Sequence, residues 1–438
     1  MSKTVLRSGA LSACALAFAF PAFAADKPAI DTGDTAWLLV ATALVLMMNI
    51  PGLALFYAGM VRKKNVLATG VQAFAIAALV TVLWFVIGYT LAFTNGGPLN
   101  GVIGSLSRAF GAGLRGSVHE LGVTVPENVF LMYQATFAII TPAIITGAFA
   151  ERMKFSAMMW FMGLWLLVVY VPVAHWVWGG GFLGAAGVLD FAGGLVVHLT
   201  AGIAGLVACI VIGKRQGYGH EYMAPHNLVL TLIGTSLLWV GWFGFNAGSA
   251  LSSGELAGTA MLNTHVSAAV AALVWMAIEW TSRGKPSVLG VLTGAVAGLG
   301  MITPAAGYVE PWAAMTIGVI AGAVCYWTSI VLKNKLGYDD SLDVFGVHGV
   351  GGIVGSILVG VFATRAINDV NKGQPVGWID GHPGQVLTQL WGVVVIGLFC
   401  AVATWIILKL IDATIGLRVS RDEETEGLDT ALHGERVQ

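Results

Sequence analysis

The stretch DFAGGLVVHLTAGIAGLVACIVIGKR, residues 190–215, has the length and apolar character of a membrane-spanning helix, yet it carries two ionisable groups. Asp190 opens it, and His198 lies about one third of the way along. About twenty apolar residues cross a bilayer as a helix. Because ionisable side chains are costly at that depth, they normally face a bundle interior or a water-filled cavity. The stretch therefore predicts one span of a multi-pass protein, with a functional site built into it.

The composition of the whole chain agrees with this prediction. Of 438 residues, 57% are hydrophobic and only 10% are charged, whereas soluble domains average about 25% charged residues. The 58 glycines permit close packing of helices within a bilayer. A net charge of −1 and the lack of a long basic run give no indication of a nucleic-acid partner. The chain is therefore predicted to be an all-α polytopic membrane protein.

The first 24 residues are predicted to be a signal peptide that is removed. Lys3 and Arg7 precede a short apolar stretch, and the segment ends in a cleavage pattern at residues 22–24. A retained first span is the alternative, but the apolar stretch is short for a bilayer crossing. Removal leaves the mature amino terminus outside the membrane. Three of the four cysteines remain, without the spacing of a metal or redox site.

Apolar runs of about twenty residues mark the predicted spans. Eleven lie near residues 36–61, 65–94, 127–150, 153–178, 190–213, 225–251, 260–281, 286–303, 311–333, 341–363 and 385–414. Loops after odd-numbered spans hold eleven Lys and Arg, and loops after even-numbered spans hold four. The positive-inside rule therefore places the amino terminus outside and the carboxyl terminus inside. Residues 25–414 form the predicted transport domain, and residues 415–438 form a cytosolic tail. The sequence does not distinguish whether this tail is a frayed end or a docking element.

An internal repeat is indicated by two aspartate–histidine pairs. Asp340 and His348 repeat the eight-residue spacing of Asp190 and His198, 150 residues further along the chain, in the tenth span. Odd and even spans run in opposite directions, so the match predicts an inverted repeat of five spans, about residues 36–213 and 225–363, followed by a last helix at 385–414. Many transporters built this way hold their site at the midplane between the halves.

Helix geometry brings the two histidines together. Eight helical residues rise about 12 Å, and the aspartates start at opposite faces of a hydrocarbon core about 30 Å thick. His198 and His348 therefore approach the midplane from opposite sides, and we expect them to line a pore. A packing pair satisfied by backbone carbonyls is the alternative. Asp190 and Asp340 also fit helix N-caps, with Asp343 in a similar role.

Aromatic residues are predicted in two layers near the outer ends of the spans. Topology places Tyr133, Trp178 and Ser249 in a shallow layer, with Phe137 and Phe245 one turn deeper. Aromatic faces attract a cation by roughly 0.5–2 kcal/mol. Below this layer the path is apolar apart from the histidines, so a bare cation pays a large desolvation penalty there. The pattern predicts a substrate that is cationic outside and becomes neutral by losing a proton, as ammonium does.

At these residues the chain resembles the ammonium transporter (Amt/Mep/Rh) family, over essentially its whole mature length. Residues 190–215 are similar to a long family signature, and AHWVWGGG, GWFGFNAGSA, DVFGVHGV and EGLDTALHGE resemble bacterial members. The resemblance implies a homotrimer with one pore and eleven spans per subunit, located in the bacterial inner membrane. It also implies a cytosolic PII signalling protein as partner. We expect no enzymatic activity, no metal and no cofactor.

The resemblance also implies the roles of individual residues. It assigns substrate recruitment to Trp178, Ser249, Tyr133 and Asp190, a gate to Phe137 and Phe245, and a pore to His198 and His348. Tyr133 stands where a phenylalanine is common, and its added hydroxyl offers ammonium a further acceptor.

These observations favour a transporter that recruits ammonium, deprotonates it and conducts ammonia, with separate proton transfer and net charge movement. An ammonium-sensing transceptor and a passive ammonia channel are the alternatives. A haem-binding electron-transfer subunit is less favoured, because nothing indicates a second cofactor. A metal transporter is also less favoured, because two histidines without nearby Cys, Asp or Glu make a poor metal site.

Overall fold

Long apolar helices form about two thirds of residues 29–437, which the computed structural model describes. In chain order the helices are α1 (Thr32–Met60), α2 (Lys63–Phe93), α3 (Glu127–Phe149), α4 (Phe155–Ala185), α5 (Gly194–Ile212), α6 (Leu228–Gly248), α7 (Glu255–Arg283), α8 (Val288–Ile302), α9 (Pro311–Leu336), α10 (Phe345–Phe362) and α11 (Gly384–Thr414). Two short helices follow, α12 (Arg421–Glu426) and α13 (Leu428–His433). The predicted signal peptide, residues 1–24, lies outside the described residues.

Each of the eleven predicted spans coincides with one of these helices. Among the described residues, ten helices are long and apolar enough to cross a membrane, which confirms a multi-pass helical protein. Helix α8 has only 15 residues, fewer than the roughly twenty that span a hydrocarbon core. A membrane crossing by α8, and with it the count of eleven, stays a prediction.

Polar caps and turns decide where several helices begin. The Asn227 side chain accepts hydrogen bonds from the backbone N–H groups of residues 229 and 230 at the start of α6. The Ser287 side chain accepts one from Gly290 at the start of α8. Between α2 and α3 the chain forms a small antiparallel hairpin of β1 (Val118–His119) and β2 (Gly122–Pro126). Such caps satisfy backbone donors that a helix end leaves free.

Helices α5 and α10 cross at the centre of the bundle through glycines. A Cβ atom added to Gly202 would lie 2.1 Å from the Cα atom of Gly349. A Cβ atom added to Gly352 would lie 2.6 Å from the backbone nitrogen of Leu199. Only glycine permits this approach, in the manner of small-residue contacts between membrane helices. Gly202 and Gly352 each follow a histidine by four residues, so the two contacts are reciprocal.

The carboxyl-terminal tail packs against the ends of the helices. The Asp429 carboxylate accepts hydrogen bonds from the backbone N–H groups of Leu67 and Ala68, at 3.1 and 2.8 Å, in the first turns of α2. The buried Glu424 pairs with Arg418 at 2.8 Å. The frayed-end interpretation of the tail is therefore wrong for its described part, because buried charge pairs and a helix cap hold it in place.

Ion pairs join the loops at the same end of the bundle. Arg215 donates two side-chain hydrogen bonds to the Asp339 carboxylate, at 2.8 and 3.0 Å. Burial raises the pKa of Asp339, but the hydrogen bonds from Arg215 and the positive charges of Arg152 and Arg215 together hold the pKa below its ordinary value. Arg152 is fully buried nearby and donates to the backbone oxygen of Asp339 at 2.6 Å.

Candidate functional site

His198 and His348 are in contact at the centre of the bundle. Their Nδ1 atoms lie 3.2 Å apart, and their rings are inclined by only 19°. Each histidine lies in a π-helical turn, Gly194–Leu199 in α5 and Phe345–Gly349 in α10; such turns occur frequently at functional sites. Because one Nδ1 must donate and the other accept, the two rings share one proton between them.

The His198 ring is buried against an aromatic side chain. Its Nε2 atom is buried and has no hydrogen-bond partner among the described residues. The ring stacks on Trp242, with centroids 5.4 Å apart, and the Trp242 indole donates to the Thr303 hydroxyl at 3.0 Å. A buried polar atom without a partner costs free energy. A small polar molecule beside His198 would remove that cost.

Phe137 and Phe245 close the path on one side of the histidines. Their ring centroids lie 4.3 Å apart, and both side chains are buried. The Phe137 ring also packs edge-on against Trp178, at 5.9 Å. The Phe245 ring lies 6.0 Å from the ring of His198. The two phenylalanines therefore separate the histidine pair from the cavity beyond them.

That cavity, here called the vestibule, has a volume of about 350 Å³ and is partly open. Its walls combine aromatic, polar and acidic side chains: Gln134, Phe137, Trp178, Asp190, Phe191, Ser249 and Tyr308. Among the predicted recruitment residues, Trp178, Ser249 and Asp190 therefore line one cavity. The sequence does not predict three of the lining residues, Gln134, Phe191 and Tyr308. Only Phe191 had a signal in the sequence, because it directly follows Asp190.

The Asp190 carboxylate caps α5 with both of its oxygens. Oδ1 accepts from the backbone N–H groups of Gly193 and Gly194, at 2.8 and 2.7 Å. Oδ2 accepts from Leu195 and Val196, at 2.8 and 3.1 Å. These bonds explain why α5 begins at Gly194, later than the predicted span start at residue 190. The carboxylate thus serves as a cap and also contributes charge to the vestibule wall.

The hydroxyl of Tyr133 does not face the vestibule. It lies 3.0 and 2.9 Å from the carbonyl oxygens of Gly244 and Phe245, and 3.2 Å from the Ser249 hydroxyl. The side chain is fully buried, and its ring packs on Phe137 at 5.0 Å. The Tyr133 hydroxyl therefore donates its proton to the end of α6, and the expectation that its oxygen offers ammonium an acceptor stays a prediction. Tyr133 instead supports the residues that border the vestibule.

Two small cavities lie beyond Phe137 and Phe245, on the side of the histidines. The first, with a volume of about 10 Å³, is lined by His198, His348 and apolar side chains. The second, also about 10 Å³, lies between His348, Thr293 and Asp343. Each is about the smallest space that holds a water-sized molecule.

At the far end of this path the two aspartates have different roles. Asp340 caps α10, since its Oδ2 accepts from the Phe345 N–H at 2.8 Å. Asp343 pairs with Lys333 instead and lies in the left-handed region, at φ 59°. The expectation that Asp343 also acts as a cap is therefore wrong.

The described residues contain no group of three or more His, Cys, Asp or Glu side chains that could hold a metal ion. Cys209, Cys325 and Cys400 are buried and free.

Apolar helices around a narrow interior path define a multi-pass membrane transporter. The model of the Ammonium Transporter Family matches residues 36–438. Over 420 residues the chain is 49% identical to an ammonium transporter of Aquifex aeolicus (strain VF5), covering 95% of this chain and 96% of that protein. It is 46% identical to the ammonium transporter of Bacillus subtilis (strain 168), covering 93% and 99%. The crystal structure of Saccharomyces cerevisiae Mep2 superposes with a TM-score of 0.84 at 38% identity, covering 90% of this chain and 89% of that one. The chain belongs to the ammonium transporter family.

Proposed function

We propose that this protein recruits ammonium in the vestibule, removes a proton at the gate and conducts ammonia past His198 and His348. Trp178, Ser249 and Asp190 form the recruitment site, with Tyr133 behind them. Phe137 and Phe245 are the gate, which opens by rotation of the two rings. The proton crosses separately, so transport is electrogenic.

This proposal rests on the change in polarity along the path, from the vestibule to the histidines. The vestibule presents aromatic faces and a carboxylate, which favour a cation. The cavity at the histidines is lined by apolar side chains apart from His198 and His348, and it has room for one small molecule. A cation there would lose its hydration without compensation, whereas ammonia would gain a hydrogen-bond partner at the free Nε2 of His198. The proton therefore leaves at the phenylalanine gate.

The histidine pair is also the proposed route of the proton. Imidazole rings pass protons between their two nitrogens, and the 3.2 Å contact between the Nδ1 atoms already joins the two rings. Asp190 lies before the histidine pair along the path, and Asp340 lies after it. Because the Asp190 carboxylate is held by four N–H groups, we assign it an electrostatic role at the entrance.

The membrane arrangement is also a proposal. We infer eleven spans including α8, with the vestibule outside and the tail in the cytosol of a bacterium, bounded by its inner membrane. The reciprocal glycine contacts between α5 and α10 support the inverted repeat of residues 36–213 and 225–363. The homotrimer, the signal peptide and a cytosolic PII partner rest on the sequence and on the family resemblance.

A current measurement on reconstituted liposomes tests the mechanism. An ammonium pulse should give an inward positive current that scales with protein density, and His198→Leu should reduce it. A potassium pulse should give none, because potassium cannot become neutral; a substantial potassium current would refute the deprotonation step. Ammonia uptake without current would identify a passive channel. Ammonium binding without uptake would identify a transceptor.

A further inference from the structure

The vestibule is much larger than the substrate it is proposed to recruit. Its volume is about 350 Å³, whereas on the same measure one water-sized molecule such as ammonium needs only about 10–15 Å³. The two cavities beyond the gate have volumes of only about 10 Å³. The protein therefore has an entrance that accepts a bulky molecule and an interior that excludes one.

The wall of the vestibule suits a bulky organic cation. Phe191 and Tyr308 form an edge-to-face pair, with centroids 5.5 Å apart and planes inclined by 80°. Both are half-buried and line the cavity together with Trp178. Gly307 leaves room for this pair, because a Cβ atom there would lie 2.1 Å from the Phe191 ring.

The charge of the vestibule has the matching sign. Asp190 is the one acidic side chain among the described residues that line it. The positive end of the α5 dipole offsets only about half a unit of the charge of Asp190. Leu251, Leu256 and Val370 add apolar surface at the rim, where methyl groups on a cation would be accommodated.

We propose that Phe191, Tyr308 and Trp178 form an aromatic cage for quaternary ammonium cations, which occupy the vestibule and are not conducted. Quaternary nitrogens bind aromatic faces through cation–π attraction and need no hydrogen-bond acceptor. Lacking an N–H proton, they cannot be deprotonated, and their size keeps them outside the phenylalanine gate. The block of transport rests on the proposed function, whereas binding in the cage does not.

Tetramethylammonium chloride is the probe, with sodium chloride of equal concentration as the ionic-strength control. Calorimetric titration of the purified full-length protein should show saturable binding of tetramethylammonium. Tyr308→Leu should weaken it about five-fold, the effect of one aromatic face, and Tyr308→Phe should restore it. Tyr326→Leu is the matched control, because Tyr326 is also a half-buried tyrosine but packs against Trp275, away from the vestibule. If Tyr308→Leu does not fold, Phe191→Leu replaces it with the same expected loss.

Liposome currents supply the second measurement. Tetramethylammonium added outside should reduce the ammonium current competitively, and less so in Tyr308→Leu. Absence of saturable binding, equal weakening by Tyr326→Leu, or uptake of tetramethylammonium would each overturn the proposal. If the wild type binds tetramethylammonium but shows no ammonium transport, the cage stands and the proposed transport function fails.

Discussion

Replacing Asp190 by asparagine should open the start of α5. The carboxylate accepts four backbone hydrogen bonds, two at each oxygen. An asparagine amide has one acceptor oxygen, and its NH₂ group only donates. If the NH₂ group takes the position of Oδ2, it faces the buried N–H groups of Leu195 and Val196. These two groups therefore lose their acceptor. At about 1–3 kcal/mol for each unsatisfied donor, the cost is about 2–6 kcal/mol.

Asp340→Asn is the matched control for this substitution. Asp340 also caps a histidine-bearing helix, but only its Oδ2 accepts, from Phe345, and its Oδ1 has no partner among the described residues. The asparagine oxygen can replace Oδ2 there while the NH₂ group takes the position of Oδ1. We expect a local cost below about 1 kcal/mol.

Hydrogen exchange followed by mass spectrometry measures both effects. Peptides covering residues 193–200 should exchange at least about thirty-fold faster in Asp190→Asn, which corresponds to about 2 kcal/mol. Peptides covering residues 345–350 should change little in Asp340→Asn. Equal, small changes in both variants would refute the four-bond cap. The ammonium current of Asp190→Asn should also vanish, and a normal current would show that its charge is not needed for transport.

Three further changes test other contacts. Leucine at His198 or His348 removes the shared proton, so the ammonium current should fall while the melting temperature changes little. Asp429→Ala removes the tail's cap on α2; we expect a loss of about 1 kcal/mol and faster exchange at residues 66–70. The pKa of Asp339 is lower in the folded protein than in the unfolded chain, where it is about 4. Its ion pairs therefore stabilise the fold above about pH 4, and this stabilisation is lost as the pH falls through the pKa of the folded state. Thermal stability should therefore decrease on acidification, and Asp339→Asn should be less stable near pH 7 and less sensitive to acid.

Each of these predictions has an outcome that would contradict it. Unchanged currents in both histidine variants would show that the pair only packs the interior. Glu426→Ala is the control for the tail, since Glu426 is an exposed acidic residue of α12; faster exchange in that variant as well would indicate a general loosening. Acid sensitivity that is unchanged in Asp339→Asn would place the responsible group elsewhere.

The class of the protein was determined by the sequence alone. Length and apolarity are local properties, so runs of about twenty apolar residues predict the helices without knowledge of their neighbours. The helix caps are local as well, since Asp190 lies within six residues of every amide it binds. The equal spacing of the two aspartate–histidine pairs was enough to predict that the histidines approach each other, because helical rise converts residue number into depth.

Which side chains share a cavity was decided only by the tertiary structure. A membrane helix is apolar on most of its surface, so the sequence does not indicate which face meets which neighbour. For this reason the engagement of the Tyr133 hydroxyl by α6 and the pairing of Asp343 with Lys333 were not foreseen. Phe191 and Tyr308 are 117 positions apart in the chain, and they meet in the vestibule only because the turn before α5 packs against the turn after α8.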